Sequence, residues 1–172
     1  MFVLGVDPGL SRCGYCVLAS DGRTSKPVAL GVLRTSPSEP TPRRLAELMG
    51  DVGALLGEYS PDAVAIERVL FQVNVRTAMS VGQAAGVVMA QAASRGVEVA
   101  EYSPNEVKGA VAGFGAADKA QVQRMVQLLL ELPAPPSPAD AADAAAVALA
   151  HVAVSGGSIP GRVLASGSGT NR

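Results

Sequence analysis

The chain has 172 residues, enough for one α/β domain with a sizeable core and giving no reason to look for a second. Apolar residues make up 48% of it, yet aromatics are 3% and Trp is absent. The core must therefore come from Ala, Val and Leu, which favours helices packed closely on a sheet over a β-sandwich. A net charge of −1 excludes a uniformly basic nucleic-acid-binding molecule; any such surface has to be a local patch.

The opening residues, MFVLGVDPGL, lack a basic stretch and meet an Asp too early for a secretory signal. No apolar run nears the roughly 18–20 residues of a membrane span, so a cytoplasmic protein without membrane contact is expected. Phe2 to Val6 is an unbroken apolar run, as in a strand buried on both faces, and Asp-Pro-Gly then turns the chain. A second strand is predicted at about Gly14–Ala19, a bend at Asp21-Gly22, and a third strand within Val28–Arg34. Cys13 and Cys16 stand three apart on a strand and so face opposite ways, which makes them buried thiols rather than a redox or zinc pair.

Thr41-Pro42 opens a helix, and Leu45, Leu48, Met49, Val52, Leu55 and Leu56 give it an apolar stripe. Ser60-Pro61-Asp62 ends it, and Ala63–Ile66 is another apolar strand, closed by Glu67. Asn74 is placed to cap a long helix to about Ser94, with Gly82, Ala85, Gly86 and Ala93 offering close approach either to another chain or to the protein's own sheet. A short strand at Val97–Glu101 follows, then a loop with Gly113 and Gly115, a helix over about Ala117–Glu131, and a Pro-rich break. An Ala-rich helix over about Ala139–Val154 closes a domain of residues 1–154, and residues 155–172 are expected to form a disordered tail. The order suits a mixed five-stranded sheet flanked by helices.

Four carboxylates stand out. Asp7 and Glu67 each end an apolar strand where the pattern asks for another hydrophobe, and the carboxyl ends of strands are where functional groups collect in α/β sheets. Asp140 and Asp143 lie three apart on one helix face. Asp140 has a competing explanation, because Ser137-Pro138-Ala139-Asp140 has the form of a capping box. Asp143 sits among Ala141, Ala142, Ala144, Ala145 and Ala146, where a helix lies very close to its neighbour. His151, two turns on, reads as a packing residue. If the four acids converge, each pair about 4 Å apart repels by about 4 kcal/mol at an effective dielectric near 20. Divalent cations would neutralise such a cluster, and carboxylates without His or Cys suit Mg²⁺ or Mn²⁺.

These residues carry a resemblance. The stretches GVDPGLSRCGYCVL, DAVAIERV, NVRTAMSVGQAAGVV, EYSPNEVKGAVAGFGAADKAQVQ and PADAADAAAVALAH, in this order and spacing, resemble the RuvC family of bacterial Holliday junction resolvases from Gly5 to about Val154. The resemblance implies a ribonuclease-H-like fold and places Asp7 beside Glu67. It makes Asp7, Glu67, Asp140 and Asp143 the catalytic ligands of two Mg²⁺ ions per subunit, with Mn²⁺ able to substitute. It further implies a homodimer that nicks a four-way DNA junction symmetrically, leaves 5′-phosphates, and works with a branch-migration helicase complex of the RuvA and RuvB type.

Lys108 and Lys119 match basic positions used near phosphates, and Arg76 is expected to join them. The residues themselves agree for Lys119, since Asp118-Lys119 opens a helix whose free N–H groups and dipole favour a phosphate. A surface charge remains the alternative. An aromatic expected at Leu70 comes one place later, as Phe71, so either residue is a candidate to contact the crossover. Three other functions compete: an actin-like-fold phosphotransferase, which would need a second lobe; a ribonuclease-H-like nuclease acting on RNA precursors; and a junction-binding protein without catalysis.

Overall fold

A computed structural model describes residues 1–68 and 75–156, apart from the side chain of Arg76. The described elements are β1 (Phe2–Asp7), β2 (Arg12–Ser20), β3 (Ser25–Arg34), α1 (Thr41–Tyr59), β4 (Ala63–Glu67), α2 (Val75–Ser94), β5 (Glu98–Tyr102), α3 (Pro104–Ala112), α4 (Lys119–Leu129) and α5 (Ala139–Ser155). The strands form one mixed sheet in the order β3-β2-β1-β4-β5. β1 runs antiparallel to β2 and parallel to β4, and β4 is parallel to β5.

Three details depart from the expected elements. β3 begins at Ser25 and contains Pro27, which a strand tolerates because β3 lies at the sheet edge. The helix α3 was not expected at all, although Ser103-Pro104-Asn105-Glu106 carries its start signal: Ser103 accepts from the Glu106 N–H, the Glu106 side chain accepts from the Ser103 N–H, and Pro104 opens the first turn. α5 takes in Ser155, the first residue assigned to the tail, and ends at Gly156 in the left-handed conformation. The rest of that tail and the Asn74 cap lie outside the described residues.

The two faces of the sheet carry different helices. Leu4, Val6, Cys13, Val17, Val64 and Ile66 pack against Leu48, Val52 and Leu56 of α1 and Ala84, Ala85, Val88 and Ala92 of α2. Val3, Cys16, Leu18 and Ala65 pack against α3, α4 and α5. Cys13 and Cys16 thus enter opposite cores as free, buried thiols, as their spacing required. On α2 the small residues divide, with Ala85 in the core and Gly82 and Ala93 exposed.

α5 is buried nearly all round, lying between the sheet and the other helices of its layer. Its closeness to the sheet depends on two glycines. A Cβ on Gly14 would stand 2.0 Å from the Asp140 carbonyl oxygen, and one on Gly5 would stand 2.3 Å from that of Ala144. Ala at helix positions and Gly at the facing strand positions together let the backbones meet. His151 is buried in this layer, its Nδ1 2.9 Å from the Tyr102 hydroxyl, and burial holds its pKa below the usual value. It packs, as expected.

Candidate active site

Parallel pairing of β1 with β4 puts Val6 opposite Ile66, so the next residues, Asp7 and Glu67, leave the sheet side by side at its carboxyl end. Alternation sends both towards α5: Gly5 and Ala65, two residues earlier, already face that layer. Asp143 of α5 then lines one cavity of about 330 Å³ with Glu67, Lys108, Lys119 and Val107. Asp140, one turn earlier, lies over Gly14 of β2.

The electrostatics show that the acids feel one another. Burial, then the charges of Glu67, Asp143 and Asp140, push Asp7 up to about 7, against a weaker opposing pull from Lys119. Burial and Asp143 raise Glu67, with Lys119 and Lys108 opposing. Asp140 moves the other way, because the hydrogen-bonded Arg12 guanidinium holds it below the ordinary carboxylate range. Lys119 Nζ donates to Asp143 Oδ2 at 2.6 Å, which raises the lysine.

Asp7 lies near enough to the other three acids for their charges to raise it, and Glu67 near enough to Asp143. In this arrangement, among the described residues, no three acids, His or Cys form a ready cation cage. Asp140 and Asp143 are engaged by Arg12 and Lys119 instead. The Lys119 pair is a weak restraint, since its side chain is 62% exposed and such pairs are worth about 0.2–1 kcal/mol. The donor set is carboxylate oxygen without His or Cys, which fits a hard divalent cation.

Two expectations need correction. Asp140 is not part of a capping box: Pro138 occupies the N-cap with extended backbone and makes no side-chain cap, leaving Ser137 one residue too far out. Asp140 faces Arg12 instead. The start of α4 is also less open to a phosphate than expected, because Asp118 caps it and already accepts the Gln121 N–H at 2.8 Å. An anion reaching this end would meet Lys119 rather than a row of free N–H groups. Lys108 lines the cavity as a half-buried residue of α3. Leu70, Phe71 and the side chain of Arg76 lie outside the described residues.

Arg12 is the residue that reading the sequence missed. Its signal was the alternation Arg12, Gly14, Cys16, which puts Arg12 on the α5 face of β2, beside a glycine that brings Asp140 within reach.

Comparison with known proteins agrees with this architecture. The family description "Crossover junction endodeoxyribonuclease RuvC" matches residues 3–151. The crossover junction endodeoxyribonuclease RuvC of Salinispora arenicola is 51% identical over 153 residues, covering 88% of this chain and 87% of that relative. Thermus thermophilus RuvC, solved in complex with a Holliday junction substrate, superposes with a TM-score of 0.86 at 38% identity, covering 90% of this chain and 94% of its own. The yeast mitochondrial Holliday junction resolvase Ydc2, at 15% identity and a TM-score of 0.62 over 88% of this chain and 78% of its own, shares the fold alone. The fold is ribonuclease-H-like, and the chain belongs to the RuvC family of crossover junction endodeoxyribonucleases.

Proposed function

We propose that this protein is a metal-dependent endonuclease that resolves four-way DNA junctions by paired symmetric nicks in recombination and repair. The carrying observation is the convergence of two strand-end acids, Asp7 and Glu67, with Asp143 of a helix held tightly on the same sheet, in a chain of this family. A phosphotransferase with two lobes and a nuclease for RNA precursors are not favoured by that membership.

Asp7, Glu67, Asp140 and Asp143 are assigned as catalytic residues and as ligands of two Mg²⁺ ions per subunit, with Mn²⁺ as a substitute. Two such ions, held by these carboxylates, would supply Lewis-acid activation for phosphodiester hydrolysis. The protein's part is positioning. Asp7 and Glu67 are fixed by adjacent strands, and Asp143 and Asp140 by the first turns of α5. Lys119 would turn its ammonium from Asp143 to a phosphate oxygen, with Lys108 lining the same cavity. Cleavage leaves a 5′-phosphate, ready for ligation. Arg76, and Leu70 or Phe71, are assigned to the DNA near the crossover. Residues 1–154, with Ser155 completing α5, are assigned to the nuclease domain.

Two equivalent strands of a junction call for two active sites related by a two-fold axis, hence a homodimer. Val75, Met79, Gly82, Gly86 and Ala93 recur at helical spacing on α2; Val75 is 70% and Met79 60% exposed, which suits this stripe to a second copy of the chain. A branch-migration helicase complex of the RuvA and RuvB type is the proposed further partner. Among the described residues no helix is long and apolar enough to cross a membrane.

The test is cleavage of a synthetic four-way junction with Mg²⁺, beside duplex and RNA controls, together with gel shift in EDTA. Asp7→Asn, Glu67→Gln and Asp143→Asn should each abolish nicking, while junction binding persists or tightens as negative charge facing phosphates is removed. Binding lost in parallel with cleavage in all three would make these residues structural.

A further inference from the structure

Arg12, the first residue of β2, stands directly opposite Arg34, the last residue of β3, in the antiparallel register. Direct opposition puts both side chains on one face of the sheet, and like charges so placed are destabilising unless something anionic compensates. Asp140 meets only part of that need. It accepts from Nε and one terminal nitrogen of Arg12, leaving the other terminal nitrogen without a partner among the described residues, on a side chain that is 42% exposed. Arg34 is exposed and takes part in none of the ion pairs among the described residues.

The backbone carrying the pair is braced. Buried Thr35, next to Arg34, donates from its hydroxyl to the Leu10 carbonyl at 2.5 Å and accepts from Arg44 Nε at 3.0 Å. A second nitrogen of Arg44 donates to the Ser11 hydroxyl, next to Arg12. Arg12 and Arg44 are thus held at one corner beside Asp140, with Arg34 next to Arg12 across the strands, while Lys108 and Lys119 line the cavity with Glu67 and Asp143.

We propose that Arg12 and Arg34 form a phosphate-contacting edge, preset by Thr35 and Arg44, that holds the DNA backbone on the β2–β3 side of the active site. The cross-strand arginine pair finds its compensating charge in that backbone, so the strand being cut is gripped on both flanks of the acids. This rests on the nuclease reading given above and adds a second binding flank to it.

The salt dependence of binding tests it, with a four-way junction in EDTA so that no cleavage intervenes. Each phosphate contact contributes about 0.9 to the slope of log affinity against log salt. Arg34→Gln and Arg12→Gln should each lower the slope by about that amount. The affinity lost between about 50 and about 200 mM salt then shrinks about threefold per arginine. Arg12→Lys, which keeps the charge, should preserve the slope. Arg23→Gln and Lys26→Gln, at the far end of the same hairpin, should leave it unchanged. An unchanged slope in Arg34→Gln overturns the proposal whatever Arg12→Gln does, because Arg34 has no ion pair within the described protein to lose; an equal fall in the far-end variants overturns it too. A wild-type protein that does not prefer a junction to duplex would instead count against the nuclease reading, and the slopes could still be compared on duplex.

Discussion

Asp7 shows most directly how the site departs from what folding alone would select. Its acid group is raised from 3.8 to about 7, chiefly by burial and then by its acidic neighbours. An acid whose folded pKa is raised favours folding below its unfolded pKa, and that contribution is lost as pH rises through the folded value. In EDTA the loss should therefore accumulate between about pH 4 and pH 7. Each pH unit of displacement corresponds to about 1.4 kcal/mol, and discounting for partial solvent access leaves ~1–3 kcal/mol. Asp7→Asn should stabilise the cation-free protein by that amount at pH 7 in urea denaturation and by much less near pH 4. A variant no more stable than wild type at pH 7 would show that neither burial nor the neighbouring acids strain Asp7. At the same scale, Phe71→Ala should slow cleavage of an intact junction more than that of one already unpaired at its centre, if Phe71 stacks on a base. Equal slowing on both substrates would leave it a packing residue.

Among elements, α5 carries the greatest constraint, because it brings two of the four acids and rests directly on strand backbone. Gly14→Ala would place a methyl group against the Asp140 carbonyl at a distance no packing allows. The helix must lift, at a cost of ~2–3 kcal/mol or more in denaturant unfolding. Cleavage should fall further than the unfolded fraction accounts for, since Asp140 and Asp143 move with the helix. Gly57→Ala on α1, where a methyl group meets nothing within 4 Å, is the control and should be neutral or slightly stabilising. Normal stability in Gly14→Ala would contradict the close contact. α3 teaches a different point about elements. Its capping box was written in the sequence, but nine residues with a weak apolar face, Val107 and Val111, gave periodicity little to work on.

For the whole molecule the decisive measurement is oligomeric state. Sedimentation equilibrium at micromolar concentration should give a dimer. Gly82→Glu, at an exposed α2 position with open space around it, should give a folded monomer. Its thermal stability at high dilution should not fall, because any residue is a better helix former than Gly apart from Pro. Junction cleavage by that monomer should lose the pairing of its two nicks. A dimer unchanged by Gly82→Glu would move the interface elsewhere.

Much of this protein was determined by local sequence. Apolar runs ending in acids defined β1 and β4, alternation sent Cys13 and Cys16 to opposite cores, and Ala-rich spacing around Asp143 announced a helix in close contact, because these signals depend only on the period of the chain. Which groups met across the chain was decided by tertiary structure. Asp140, for which a helix cap was the competing explanation beside the active-site one, makes no cap and is hydrogen-bonded by Arg12, 128 positions away. Gly5 and Gly14 looked like ordinary strand residues until α5 lay on them, and Arg34 acquired meaning only from the register that set it opposite Arg12. Register and helix placement come from burying whole faces at once, a sum over many residues that no local window contains.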